Sequence, residues 1–120
     1  MSTAPDAPVL DAVEPAHFFA VDIRVGEVLH AESFPEARKP AIKLHIDFGA
    51  IGTRWTSAQL TKRYTPEQLV GKRVIAVVNF PPRRIAGFKS EVLVLGACPE
   101  EGDVILLSPD ADSPLGGRVA

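Results

Sequence analysis

"TPEQLVGKRVIAVV" (residues 65–78) places a short helix directly before a strand that is apolar on both faces. Thr65 and Gln68 have the spacing of a capping box, and Pro66 suits the first position of a helix. Gly71 then supplies a residue that commonly ends one. The stretch therefore predicts one short helix, Pro66–Val70, followed immediately by a core strand.

Strand patterns lie on both sides of this helix. The clearest is "AIKLHIDFG" (residues 41–49), in which apolar and polar side chains alternate. In "VDIRVGEVLHAE" (residues 21–32) the alternation changes phase at Gly26, which predicts a β-bulge there. The runs with consecutive apolar residues are Val74–Val78, Val92–Leu95 and Val104–Leu107.

Five or six short strands with one short helix in the middle of their order predict an all-β fold. An OB-fold barrel fits this order, because it has five strands and its helix lies between the third and fourth. We expect a domain over residues 14–120, including a dimerising C-terminal extension, and a mobile N-terminal arm over residues 1–13. "EPAHFF" (residues 14–19) predicts a helical turn with Phe18 and Phe19 facing inward.

The consecutive apolar runs need cover on both faces of their strands. With so few helices available, we predict that a second copy of the chain provides it, in an apolar homodimer interface. The alternative is cover by the chain's own N-terminal arm and its C-terminal tail.

The composition is that of a single domain with an ordinary core. The chain has 120 residues, of which 46% are hydrophobic and 23% charged. Its apolar runs are far shorter than a membrane span, so no membrane insertion is expected. The beginning of the sequence lacks the pattern of a secretory signal, and Cys98 is the only cysteine. These features predict a cytoplasmic, reducing location.

Charge is distributed very unevenly along the chain, although the net charge is only −2. Residues 33–90 carry eleven Lys/Arg against three acids, for a net +8, whereas residues 1–32 and 91–120 each carry one Arg against six acids. Because salt screens charges beyond about 8 Å, a ligand responds to this local potential. The middle of the chain therefore predicts an anionic partner, unless the fold interleaves the two signs.

The sequence makes no case for an enzyme. The three histidines have no metal-ligand spacing, and Cys98 has no activating partner nearby in the sequence. No phosphate loop, nucleophile elbow or dinucleotide fingerprint appears. We expect no catalytic residues, no metal and no cofactor.

Four segments resemble the CsaA family, small dimeric proteins built on the tRNA-binding domain of several aminoacyl-tRNA synthetases. They are "DIRVG", "ARKPAIKL", "SAQLTKRYTPEQLVGKRVIAVVNFPPRRIAGFKSEVLVLG" and "GDVILLSPD". The resemblance implies an OB-fold homodimer that binds tRNA and acts as an export-related chaperone for unfolded preproteins. Pro82, Arg83, Gly87 and Ser90 match the basic loop of the wider tRNA-binding domains, whereas Glu91 begins a departure from their small-residue step.

The first functional hypothesis is a tRNA-binding dimer, in which cations contact phosphates and polar side chains contact bases or riboses. The candidate residues are Arg38, Lys39, Lys43, Ser57, Gln59, Asn79, Arg83, Arg84, Lys89 and Ser90.

The second hypothesis is a chaperone that holds unfolded preproteins or peptides in apolar clefts, with no physiological RNA role. Its candidate pocket residues are Phe34, Trp55, Phe80, Ile85 and Phe88. A weaker third hypothesis is a structural dimer that delivers another protein to RNA.

Overall fold

The computed structural model describes residues 3–120 and is built mainly of short antiparallel strands. The helices and strands, in chain order, are α1 (Pro15–Phe19), β1 (Ile23–Ser33), β2 (Ile42–Asp47), β3 (Thr53–Ala58), α2 (Pro66–Leu69), β4 (Arg73–Val77), β5 (Arg83–Ile85), β6 (Phe88–Ser90), β7 (Leu93–Val94), β8 (Gly96–Glu100), β9 (Asp103–Leu106) and β10 (Arg118–Val119). Of the predicted N-terminal arm, residues 1–2 lie outside the described part, and residues 3–13 form neither helix nor strand.

One antiparallel sheet forms the barrel, in the order β3-β2-β1-β4-β7, and β10 pairs with the start of β1. Side chains and backbone groups join β3 to the chain just before β7, which brings the two ends of the sheet together. The Thr56 hydroxyl donates to the Val92 carbonyl at 2.7 Å, and the Ser57 backbone N–H donates to Ser90 Oγ at 3.2 Å. Helix α2 lies between β3 and β4 in the chain, so the OB-fold prediction is confirmed.

The alternating strand predicted over residues 41–49 supplies much of the core. Ile42, Leu44, Ile46 and Phe48 are all 1% exposed or less, as the period of two requires for one buried face. Helix α2 adds Leu69, which is fully buried beneath the barrel sheet. The Thr65 backbone N–H donates to Gln68 Oε1 at 2.9 Å, so the capping pair that predicted this helix is present.

The predicted bulge at Gly26 is wrong in position. The β1–β2 register shifts between Val28 and His30, while Gly26 pairs regularly with Val74 of β4. Gly26 is needed for packing, because a Cβ there would lie 2.5 Å from Ile46 Cγ2 and 2.7 Å from the Phe48 ring. The two core side chains occupy the space that any other residue would need.

The second face of β4 is covered by the chain itself. Ile75 and Val77 join Ile23 and Val25 in a second apolar cluster, against which Val21, Leu95 and Val119 pack. The C-terminal strand β10 brings Val119 to this position by pairing with β1. The C-terminal tail therefore helps to cover this face of β4, as the alternative prediction stated.

The prediction that Phe18 and Phe19 face inward is wrong. The two rings contact each other edge to face at 5.3 Å, and they are 46% and 67% exposed. Helix α1 has five residues and buries none of them. Leu93, Ile105 and Leu107 are also exposed, so apolar surface remains uncovered within the single chain.

Replacing Gly26 with Ala should destabilise the protein by about 1–3 kcal/mol, since the added methyl overpacks the core against Ile46 and Phe48. Urea unfolding, followed by circular dichroism, measures the change. Ser33→Ala is the control, because Ser33 ends the same strand with an exposed side chain. Equal stabilities of the two variants would contradict this account of Gly26.

Candidate nucleic-acid interface

A row of aromatic rings runs across the outside of the barrel at β2, β3 and β6. Trp55 pairs with His45 across β2 and β3, and the two rings stack at 4.5 Å with 9° between their planes. Phe88 on β6 meets Trp55 edge to face at 6.2 Å, and Phe34 meets Phe88 at 5.4 Å. Three separate parts of the sequence therefore form one aromatic surface.

A cation lies within this row. Lys43 Nζ is 4.6 Å from the centre of the Phe34 ring and 4.8 Å from that of Phe88, a cation–π arrangement. Phe34 is only 3% exposed, so it supports Lys43 and Phe88 from below and presents little surface to a ligand.

Beside the row lies an open groove of about 470 Å³, which we call the aromatic groove. It combines two rings with charges of both signs, three cations and two carboxylates. Its lining residues are Glu32, Lys43, Trp55, Arg84, Gly87, Phe88, Lys89 and Glu91.

The β5–β6 hairpin carries two of the three basic residues of the groove. Its two-residue turn consists of Ala86 and Gly87, with φ angles of 47° and 79°. Positive φ at both central residues is the geometry of a type I′ turn, which matches the twist of paired strands. The turn therefore holds Arg84 and Lys89 at paired positions on opposite strands of the hairpin.

Glu91 attaches the hairpin to β3. Its carboxylate accepts the Trp55 backbone N–H at 2.7 Å, and its own backbone N–H donates to the Trp55 carbonyl at 2.8 Å. The residue that departs from the wider tRNA-binding domains thus fixes the backbone of the tryptophan in the groove. Sequence reasoning gave Glu91 no place in the site, because its contact with Trp55 spans 36 residues of chain.

A second, smaller depression of about 260 Å³ lies on the other side of the hairpin. We call it the apolar slot; its lining residues are Ser57, Phe80, Pro81, Arg83, Ile85, Ser90, Glu91, Val92 and Leu93. Ser90 is partly engaged within the fold, because its Oγ contacts Thr56 Oγ1 at 2.9 Å and accepts the Ser57 N–H. Phe80 and Ile85 line this slot, whereas Trp55 and Phe88 line the aromatic groove.

The remaining predicted residues lie outside both depressions. The side-chain amide of Asn79 bonds to the segment that leads into β1. Its oxygen accepts the Asp22 backbone N–H at 2.8 Å, and its NH₂ group donates to the Ala20 carbonyl at 2.9 Å. Arg38 and Lys39 lie exposed on the loop between β1 and β2, and Gln59 is exposed just after β3. The tRNA-binding candidates are thus spread over several surfaces.

The fold pairs some cations of the basic middle segment and leaves others unpaired. Arg63 forms a two-pronged ion pair with Asp103, and its guanidinium lowers the pKa of that carboxyl; Lys62 likewise pairs with Glu100. Arg73 pairs with Glu27 at 3.3 Å. Within residues 3–120, eight cations have no acidic partner within 4.0 Å: Arg38, Lys39, Lys43, Arg54, Lys72, Arg83, Arg84 and Lys89.

Three of these unpaired cations, Lys43, Arg84 and Lys89, line the aromatic groove, and Arg83 lies on the same hairpin. Unpaired cations attract phosphates, and exposed aromatic faces stack with unpaired bases. The charges of the two signs are therefore not evenly interleaved, and the arrangement suits a single-stranded or looped nucleic acid.

The described residues contain no cluster of three or more His, Cys, Asp or Glu side chains placed to hold a metal ion. Over the same residues, the structure has no helix that is long and apolar enough to cross a membrane.

Comparison with known proteins points to the same chemistry. Residues 23–118 match the family described as "Putative tRNA binding domain". The crystal structure of the chaperone CsaA from Bacillus anthracis is 55% identical, with a TM-score of 0.89, over 92% of this chain and all of that one. The CsaA chaperone protein from Picrophilus torridus is 46% identical, with a TM-score of 0.82, over 91% of this chain and all of that one.

The chain also matches part of a much larger enzyme. The methionine–tRNA ligase of Porphyromonas gingivalis is 37% identical over 94% of this chain, but the chain spans only 16% of the ligase. The matched segment is a tRNA-binding domain and not a catalytic one.

Proposed function

The chain belongs to the CsaA family of proteins built on the tRNA-binding domain, and from this we propose that it binds tRNA through the aromatic groove. The observation that carries the proposal is the set of unpaired cations beside Trp55 and Phe88. Lys43, Arg84 and Lys89 contact phosphates, while a base from a loop or a single-stranded end stacks on Trp55. Such stacking contributes roughly 1–3 kcal/mol per base.

A phosphate-binding role requires a strong dependence on salt. Replacing Lys89 with Gln should weaken tRNA binding and reduce the slope of log K against log salt by about one, because each phosphate contact releases counterions. Fluorescence anisotropy with labelled tRNA, from low to physiological salt, measures the slope. Lys62→Gln is the matched control, since Lys62 is already paired with Glu100. An unchanged slope in Lys89→Gln would count against the groove as the tRNA site.

The apolar slot supports a second function, a chaperone that holds unfolded preproteins before export. Phe80 is 45% exposed at its rim, next to the apolar side chains of Ile85, Val92 and Leu93. An extended peptide gains affinity by burying such surface, at roughly 25 cal/mol per Å². Because the slot and the groove share Glu91 and lie on the two sides of one hairpin, peptide and tRNA are expected to compete.

Replacing Phe80 with Ala should raise the Kd of an unfolded preprotein-derived peptide by about tenfold, because a large apolar contact is lost. Binding of tRNA by the same variant should be unchanged. Leu29→Ala is the control, since Leu29 is 43% exposed but does not line the slot. Peptide affinity that falls steeply with salt and is indifferent to Phe80 would argue against this function.

We also propose that the protein works as a cytoplasmic homodimer. Leu93 and Leu107 adjoin Leu95, which packs on the second apolar cluster, and both are exposed, at 48% and 43%. A partner copy that covered them would continue this cluster across the interface. Two copies would also present two grooves to one tRNA, which raises affinity through multivalency.

Replacing Ile105 with Lys should convert the dimer to a monomer, because Ile105 is an exposed apolar residue beside Leu107. Size-exclusion chromatography with light scattering should then give the mass of one chain in place of two. Val70→Lys is the matched control, as Val70 is 51% exposed at the end of α2. A wild-type protein with the mass of one chain would refute the dimer.

A further inference from the structure

Trp55 presents one ring face to the aromatic groove. His45 is stacked over the indole at 4.5 Å and does not line the groove, so it covers one face; His30 contacts the indole edge to face at 6.1 Å, and Trp55 itself lines the groove. Phe88 stands perpendicular to the indole, with 88° between the planes, and limits the site from one side. The geometry suits a single flat ring stacked on the indole.

The carboxylate of Glu91 is held beside this stacking position. Its Oε2 accepts the Trp55 backbone N–H at 2.7 Å, which fixes the group relative to the indole. Within residues 3–120, Glu91 has no ion pair and its Oε1 has no hydrogen-bond donor. A carboxylate has about four acceptor positions, so most of its hydrogen-bonding capacity is unused in a residue that lines the groove.

A carboxylate at this place is unfavourable for a phosphate and favourable for a group that donates hydrogen bonds. The cations Lys43, Arg84 and Lys89 line the same groove and are available to the phosphates of the chain. The division of charge therefore assigns the backbone of a nucleic acid to the cations and a base to the space between Trp55 and Glu91.

We propose that the groove selects an unpaired guanine. Guanine presents two adjacent donors, N1–H and N2–H, on its Watson–Crick edge, and a carboxylate accepts both. Cytosine and adenine offer one exocyclic amino group each, whereas uracil flanks its single N–H with two carbonyl oxygens, which the carboxylate repels. This inference rests on the proposed tRNA-binding function and specifies the base that the groove reads.

The test uses four labelled heptauridylates in which the central residue is G, C, A or U. Fluorescence anisotropy gives the four affinities, and quenching of Trp55, the only tryptophan in the sequence, reports occupation of the groove. A good bidentate contact discriminates between bases by at least about fivefold, so the affinity for the guanine oligonucleotide should exceed that for heptauridylate by at least this factor.

Glu91→Gln is the decisive variant. The glutamine oxygen can still accept the Trp55 N–H, while its NH₂ group replaces the free acceptor with a donor. The preference for guanine over uracil should fall to within about twofold, with the melting temperature serving as the check on the fold. Glu67→Gln is the matched control: Glu67 is an exposed carboxylate on α2 that lines neither depression, and the guanine preference should remain.

Equal affinities for all four oligonucleotides, or a guanine preference that survives Glu91→Gln, would overturn the inference and leave tRNA binding intact. It would also be overturned if tRNA bound with a steep salt dependence while no oligonucleotide bound or quenched Trp55. If neither tRNA nor any oligonucleotide bound at low salt, the proposed function would fail, and the inference with it.

Discussion

The closure of the barrel between β3 and the segment that leads into β7 positions everything else in this protein. Thr56, only 1% exposed, donates its hydroxyl to the Val92 carbonyl, and the neighbouring contacts of Ser57 with Ser90 and of Trp55 with Glu91 extend the seam. A buried hydroxyl without a partner costs roughly 1–3 kcal/mol, so this seam tolerates little displacement. Because the β5–β6 hairpin leads directly into the seam, closing the barrel also sets the position of the basic residues.

The aromatic groove follows from this closure. Trp55 comes from one side of the seam, Phe88 and Lys89 come from the hairpin on the other, and Lys43 comes from the neighbouring strand β2. The core beneath them is closely packed, since Gly26 allows Ile46 and Phe48 to pack directly against β1. The rings and cations are therefore presented on a fixed surface, which lowers the entropic cost of binding.

The two depressions on either side of the hairpin differ in chemistry, which is the physical basis of the two proposed activities. The aromatic groove has unpaired cations and an open indole face, whereas the apolar slot has Phe80 and Ile85. Nucleic-acid binding depends on counterion release and weakens with salt, while burial of apolar surface does not. Glu91 lines both depressions, so the two proposed ligands would share this residue.

The sequence by itself determined the OB-fold order of strands, the capped helix α2, the buried face of β2 and the basic character of the middle segment, because each depends on local spacing and composition. Only the tertiary structure decided which residues meet. The His45–Trp55 stack depends on the register between β2 and β3, and the Glu91–Trp55 contact depends on barrel closure across 36 residues of chain. A periodic sequence pattern shows neither contact. The outward orientation of Phe18 and the displaced bulge near Val28 have the same origin, since both are decided by which neighbours fill the space around them. Local sequence determines the helices and strands, whereas packing between elements that are distant in the sequence determines the site.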